Sequence, residues 1–278
     1  MKQEKVFQYI IAQLENGTVP WKCPYIPMTS GNGHVYRGIN KLVLNLRARE
    51  MKYKSPFWYT YLNCKKNGGQ VRKGQKGVHV VYFAQGKYTD EKTDKEKGYS
   101  TMKVYSVFNQ EQCDFHEDYV EPELVDEYTP ASALCADYIY REKIEQTNSP
   151  GMAFYNPKSD KINIPAMSAL SDESHYYPTL FHEMGHSTGH EGRLNRKGVA
   201  SMSLFDDHQY SEEELVAEMT AAYLCGATDR EMKDLDQSAA YIESWLKVFG
   251  GDKSMLQRAA TQAEKACEFI MGKQDAVL

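Results

Sequence analysis

Five residues constrain this chain more than any others: His182-Glu183-Met184-Gly185-His186, closing the apolar stretch Tyr176-Tyr177-Pro178-Thr179-Leu180-Phe181. The stretch predicts a helix, and on a helix residues four apart point almost the same way. His182 and His186 therefore project side by side. Two neutral imidazoles so placed can take two corners of a tetrahedral zinc ion, with metal–nitrogen distances of roughly 2.0–2.1 Å. Glu183 sits next to the first ligand, where its carboxylate can take a proton from water held there. Ser174 is the expected N-cap, which puts Pro178 in the first turn, where a missing amide costs little. Two histidines can also lie on a wet helix face with no metal between them, so the pattern needs a third ligand.

A metzincin would place that ligand as a histidine ten positions after His182. Position 192 is Gly, and the nearest histidine is His190, which excludes the metzincin pattern. The alternative is a carboxylate on a second helix, and Ser211-Glu212-Glu213-Glu214-Leu215-Val216-Ala217-Glu218-Met219-Thr220-Ala221-Ala222-Tyr223-Leu224 supplies one. Glu214 and Glu218 share a face with Ala221 and Cys225. Carboxylates on such an inward face need partners, because an unpaired buried charge is expensive. One would ligate while the other accepts a hydrogen bond from the far nitrogen of a histidine ligand. Ser211-x-x-Glu214 is also a capping box, and in that role Glu214 would leave Glu218 as the ligand. Glu214 is the expected ligand and Glu218 the alternative. His190 is either a further ligand or a structural histidine just beyond a helix end set by Gly189. Tyr210 and His208, just before the ligand helix, are candidate donors to an oxyanion.

The length suits two domains of ordinary size. No apolar run is long enough to cross a bilayer, and Met1-Lys2-Gln3-Glu4-Lys5 leads into no signal-peptide core. Six cysteines lie far apart without a C-x-x-C pair, the usage expected of reduced thiols in the cytoplasm. The net charge of −5 conceals a strong asymmetry. Residues 1–90 hold 15 Lys or Arg against 4 Asp or Glu, a net of +11, and the remainder holds 18 against 34, a net of −16. A basic half joined to an acidic one points to a polyanion partner for the first, nucleic acid above all.

Aromatic residues are interleaved with those charges: Trp21, Tyr25, Tyr36-Arg37 and Phe57-Trp58-Tyr59. Single-stranded nucleic acid is held by such mixtures, bases stacking on rings while cations track the backbone. The same rings are core material in many small domains, and Phe57 and Trp58 are expected to be partly core. Gly69-Gln70-Val71-Arg72-Lys73-Gly74-Gln75-Lys76-Gly77 reads as a glycine-punctuated turn whose three cations suit phosphate. The candidate DNA-binding residues are Trp21, Tyr36, Arg37, Asn40, Trp58, Gln70, Arg72, Lys73 and Lys76.

The pattern predicts helices at 2–16, 41–50 and 58–67, strands at 78–83 and 103–108 joined by a charged loop over 86–98, and an acidic linker at 116–130. Beyond it come a helix at 131–145 and a hairpin at 152–165 turning at Asn156–Asp160. In zinc peptidases a strand beside the motif helix commonly forms the cleft edge, by analogy of architecture. The predicted class is α+β in two domains: a mixed α/β domain at 1–115 and a mainly helical domain with a small hairpin or sheet at 131–278.

The chain resembles the ArdC-type antirestriction family of plasmids and other mobile elements over nearly its whole length. The resemblance is carried by Val19-Pro20-Trp21, Tyr36-Arg37-Gly38-Ile39-Asn40, the turn from Gly69 to Gly77, and Val107-Phe108-Asn109-Gln110-Glu111-Gln112-Cys113. It continues through Tyr177 to Arg196, Glu213-Glu214-Leu215-Val216-Ala217-Glu218, Ser238 to Lys247 and Ala259 to Ile270. It implies an N-terminal single-stranded-DNA-binding domain, a C-terminal zincin-like metallopeptidase domain and protection of incoming DNA from host restriction. Two functions are therefore expected to compete. One is a DNA-tethered Zn2+ peptidase acting on an unknown host protein through Glu183. The other is a DNA-binding shield whose metal site is structural or vestigial.

Overall fold

The computed structural model describes residues 4–22, 25–90, 95–117, 119–120, 130–169, 173–200, 207–228, 230, 239–252 and 254–273. The described residues of Met1–Ala12, Pro27–Tyr36 and Val43–Glu123 form one compact unit, and those of Gln13–Ile26, Arg37–Leu42 and Leu124–Leu278 form another. Two N-terminal segments, Gln13–Ile26 and Arg37–Leu42, thus cluster with the second unit. Of the acidic segment itself, 118 and 121–129 lie outside the described residues.

Helix α1 (Glu4–Glu15), whose last three residues cluster with the second unit, carries a buried stripe of Val6, Ile10 and Leu14 at helical spacing. Helix α2 (Ile39–Met51) leads towards a four-stranded sheet of β1 (Thr29–Ser30), β2 (Phe57–Thr60), β4 (Val78–Asp90) and β5 (Lys95–Asn109), ordered β1-β2-β5-β4. A two-stranded ribbon pairs β3 (Gly69–Val71) with β6 (Cys113–Phe115). The helix expected at 58–67 divides in two. Phe57–Thr60 is strand, because alternation sends Trp58 into a core with Met28, Leu44 and Val107 while Phe57 and Tyr59 join Cys64 and Val71 in another. Only α3 (Tyr61–Lys66) is helical, started by Thr60, whose hydroxyl accepts the Asn63 amide at 3.1 Å. The charged loop expected at 86–98 is mostly ladder. The β4–β5 hairpin stays in register out to Asp90 opposite Lys95.

In the second unit, α4 (Ala131–Glu142) precedes a three-stranded sheet of β7 (Glu145–Thr147), β9 (Lys161–Asn163) and β8 (Phe154–Asn156), with β8 at one edge. The hairpin turn falls where expected, between Asn156 and Lys161. Helix α5 (Glu173–Ser187) carries the histidines, and α6 (Lys197–Ala200) leads to α7 (Asp207–Ala227), α8 (Ala239–Gly251) and α9 (Met255–Ile270). Pro178 lies inside α5, not in its first turn behind a Ser174 cap, because the helix already runs at Glu173. Likewise α7 begins at Asp207, so Ser211 is within the helix and no capping box engages Glu214.

Two glycines let backbones meet here. A Cβ on Gly185 would stand 3.1 Å from Ala217 Cα, so α5 and α7 cross in near-contact at the middle of the histidine motif. A Cβ on Gly226 would overlap the Tyr25 carbonyl at 1.8 Å, so the 13–26 segment lies directly on the end of α7. Trp21 seals that junction, fully buried and edge-on to Trp245 and Phe249 at 5.5 and 5.8 Å. Among the described residues no helix is long and apolar enough to cross a membrane.

Candidate metal centre

The α5–α7 crossing sets Glu214 against both histidines. His182 Nε2 and His186 Nε2 are 3.1 Å apart, and each lies 3.5 Å from an oxygen of Glu214. Ligand atoms about 2.0–2.1 Å from one ion at tetrahedral angles stand roughly 3.3 Å apart, so the three groups already hold the spacing of a bound zinc-sized ion. Among the described residues they are the one set of three possible ligands that converges. Three ligands leave the fourth position of a tetrahedron open.

Electrostatics match this geometry. Burial alone would push the His186 imidazolium down, but Glu213 and Glu214 beside it hold it up, to about 10. Burial opposes ionisation of Glu214 too, yet its contacts with His182 and His186 hold it far below the usual carboxylate range.

Glu213 was not singled out by the sequence, although it supports the centre. Its Oε1 lies 3.3 Å from His186 Nδ1, a contact that would favour an Nδ1–H and leave Nε2 free to hold an ion. Buried Arg196 grips the same carboxylate with Nη2 at 2.6 Å and Nε at 2.9 Å, and ties it to α5 through Thr188 Oγ1 and the Gly185 carbonyl. The far-nitrogen contact expected of Glu218 therefore belongs to Glu213. Glu218 turns away: its Oε2 accepts from Trp21 Nε1 at 2.7 Å and from the Tyr241 hydroxyl, and its Oε1 lies 3.5 Å from Lys22 Nζ. Position decides this, since residues one apart on α7 can reach the two ends of the His186 ring, whereas Glu218 is a turn further on.

Glu183 is buried, and desolvation raises its carboxyl pKa against the pull of the neighbouring imidazoles. The backbone amide of Tyr155, on edge strand β8, hydrogen-bonds it. His190 stands outside the convergent set, its Nδ1 accepting the Gly192 amide at 3.1 Å. Gly189 is no left-handed helix stop; a Cβ there would strike Val199. The side chains of His208 and Tyr210 lie outside the described residues.

The DNA candidates separate. Trp21 and Trp58 are buried and have no ring face to offer a base, which corrects the stacking role expected for both. Tyr36 is half-buried against the Trp58 core. Arg37 pairs with Glu268 at 2.7 Å, and it belongs with Asn40 to the second unit. Gln70, Arg72, Lys73 and Lys76 stay exposed around the turn after β3, but Arg72 is bound to the Glu111 carbonyl and to Asp114. Two exposed rings that the sequence did not single out, Tyr82 and Tyr105, meet edge-on at 6.4 Å on the hairpin, with Lys103 opposite Tyr82.

Residues 2–108 match the N-terminal domain of the anti-restriction factor ArdC, and residues 116–262 match a zincin-like metallopeptidase family. The chain is 31% identical to a DNA primase TraC of Escherichia coli across 96% of its own length but only 27% of that protein's. It is 27% identical to the uncharacterized protein y4eC of Sinorhizobium fredii (strain NBRC 101917 / NGR234), covering 98% of this chain and 92% of that one. The metal-free crystal structure of the antirestriction ArdC protein from plasmid R388 superposes with a TM-score of 0.78 at 39% identity, over 96% of this chain and 95% of that one. Its Mn(II)-bound form gives 0.76 at 36% identity, over 100% and 99%. The convergent histidines and carboxylate, the two-part architecture and these matches together assign the chain to the ArdC-type antirestriction family, with an ArdC N-terminal domain followed by a zincin-like metallopeptidase domain.

Proposed function

We propose that this chain is an antirestriction protein that binds single-stranded DNA through its basic N-terminal part and hydrolyses a host protein at the centre on α5 and α7. The convergence of His182, His186 and Glu214 with Glu183 beside them carries the peptidase half. Two imidazoles and a carboxylate suit Zn2+. Bound there, the ion would supply Lewis acidity towards a peptide carbonyl and towards water. The Glu183 carboxylate takes the proton from water and returns it to the leaving amine nitrogen. Its burial favours this, because a carboxylate with a raised pKa is the better proton acceptor. Edge strand β8 offers backbone groups to an extended peptide. A purely structural site is usually closed by a fourth protein ligand, and neither His190 nor another described residue supplies one. Five described cysteines are free and buried, which fits a reducing compartment.

Glu183→Gln should retain one zinc per chain by elemental analysis and lose cleavage of a denatured-protein panel by at least a hundredfold. Loss of zinc from this variant would make Glu183 structural and overturn the mechanism.

The DNA half rests on the N-terminal match, the charge split, and the exposed Lys73, Lys76, Tyr82 and Tyr105. Affinity of the full chain for oligo-dT should fall with salt by a log–log slope near −0.7 per phosphate contacted. Changing Lys73 and Lys76 together to Ala should flatten that slope by roughly 1.4 units. Tyr82→Ala should cost about 1–3 kcal/mol if one base stacks there, with the slope unchanged. A salt-independent affinity would count against phosphate tracking altogether.

A further inference from the structure

Arg193 lies just beyond α5, and its charge is almost wholly out of water, the side chain being 3% exposed. A guanidinium so placed must find acceptors for its fixed fork of N–H donors. Nη1 donates to Asp160 Oδ1 at 2.9 Å and to the Ser187 carbonyl at 2.8 Å, and Nη2 donates to Asp160 Oδ2. Nε lies 3.5 Å from Glu142 Oε2. One side chain thus joins the last residue of α4 and the last of α5 to the turn between β8 and β9. Lysine could carry the charge there but not the fork.

That turn governs the strand that reaches Glu183. Strand β8 is three residues long and, among the described residues, pairs with β9 alone. So short a ladder leaves its position to be set by other contacts. Its middle residue, Tyr155, is buried and makes two of them. The hydroxyl donates to Asp160 Oδ1 at 2.8 Å, and the backbone amide hydrogen-bonds the Glu183 carboxylate. Asp160 Oδ1 is therefore shared between Arg193 and Tyr155. The contacts run without a break from the guanidinium to Asp160, from Asp160 to the Tyr155 hydroxyl, and from the Tyr155 amide to Glu183. A carboxylate on a helix can swing about its side-chain torsions, and a misplacement of about 1 Å by a distant change can cost about a hundredfold in rate. An amide donor on a fixed strand stops that swing.

We propose that Arg193 is a positioning residue for the general base: its clamp on Asp160 and Ser187 sets β8 against α5, so that the Tyr155 amide holds the Glu183 carboxylate at the angle proton transfer needs. The proposal rests on the peptidase reading above, and an amide resonance tests it without a substrate. In zinc-loaded full-length protein the Tyr155 amide proton should resonate downfield, as a donor to a carboxylate does, and Glu183→Gln should move it upfield. Arg193→Lys should move it at least half as far in the same direction. It should also lower kcat on the denatured-protein panel at least tenfold, with zinc affinity within threefold of wild type. Tyr155→Phe removes one hydroxyl and leaves the Arg193–Asp160 pair in place. It should reproduce both effects at the amide of that residue and in kcat, and it decides the matter if Arg193→Lys fails to fold. A clamp that only stabilises the fold would lower Tm and leave the resonance and the kcat of the folded protein at wild-type values, which would overturn the proposal. If the wild type cuts no protein of the panel, the peptidase reading falls, and the resonance by itself still upholds or overturns the placement of the carboxylate.

Discussion

Glu214→Ala should strip the chain of its metal. The three ligand atoms are 3.1 to 3.5 Å apart, and removing the carboxylate leaves two imidazoles that cannot retain zinc tightly. Zinc titration should show an affinity loss of at least a hundredfold. The neighbouring carboxylates give a graded contrast. Glu213→Gln keeps all three ligands but weakens the acceptor at His186 Nδ1, and such supporting contacts are worth about 10–100-fold in metal affinity. Glu218→Gln should leave the affinity within a fewfold of wild type, since its oxygens go to Trp21, Tyr241 and Lys22. Stability should follow occupancy. At a metal concentration about 1,000 times Kd, binding adds roughly 4 kcal/mol to the folded state. At about 2–4 °C per kcal/mol, a rise in Tm of the order of 10 °C should appear in wild type and vanish in Glu214→Ala. Full metal in Glu214→Ala with loss in Glu218→Gln would reverse the ligand assignment.

Trp21→Ala should be among the most destabilising single changes in the chain, at about 3–5 kcal/mol. The indole is fully buried, sits edge-on to Trp245 and Phe249, and donates its N–H to Glu218 at 2.7 Å. Truncation removes the ring contacts, opens a cavity and takes one donor from a nearly buried carboxylate, and these losses act together. Thermal unfolding should shift down by the order of 10 °C. Oligo-dT affinity of the protein that remains folded should not change, because no face of the ring is exposed. An unchanged Tm with a stacking-sized loss of DNA affinity would restore the role that composition suggested.

These two residues mark where sequence stops being sufficient. The histidine pair was legible because helical periodicity is local: two residues four apart must share a face wherever the helix lies. The same periodicity could not choose between Glu214 and Glu218, which also share a face. The choice came from where α5 crosses α7, at Gly185 against Ala217. Glu213 and Arg196 escaped notice for the same reason, since their value depends on what the crossing places beside His186 Nδ1. Aromatic content marked residues 1–90 as unusual but could not distinguish core from surface. Trp21 and Trp58 went inward, while Tyr82 and Tyr105 stand exposed on the strands expected at 78–83 and 103–108. Spacing, capping potential and charge balance are properties of neighbours along the chain, and the sequence determines them by itself. The ligand set and the buried tryptophan join segments up to 220 positions apart, as the Trp21–Tyr241 contact does. Only packing of the finished tertiary structure decides such pairs, because their contact free energy depends on which surfaces meet.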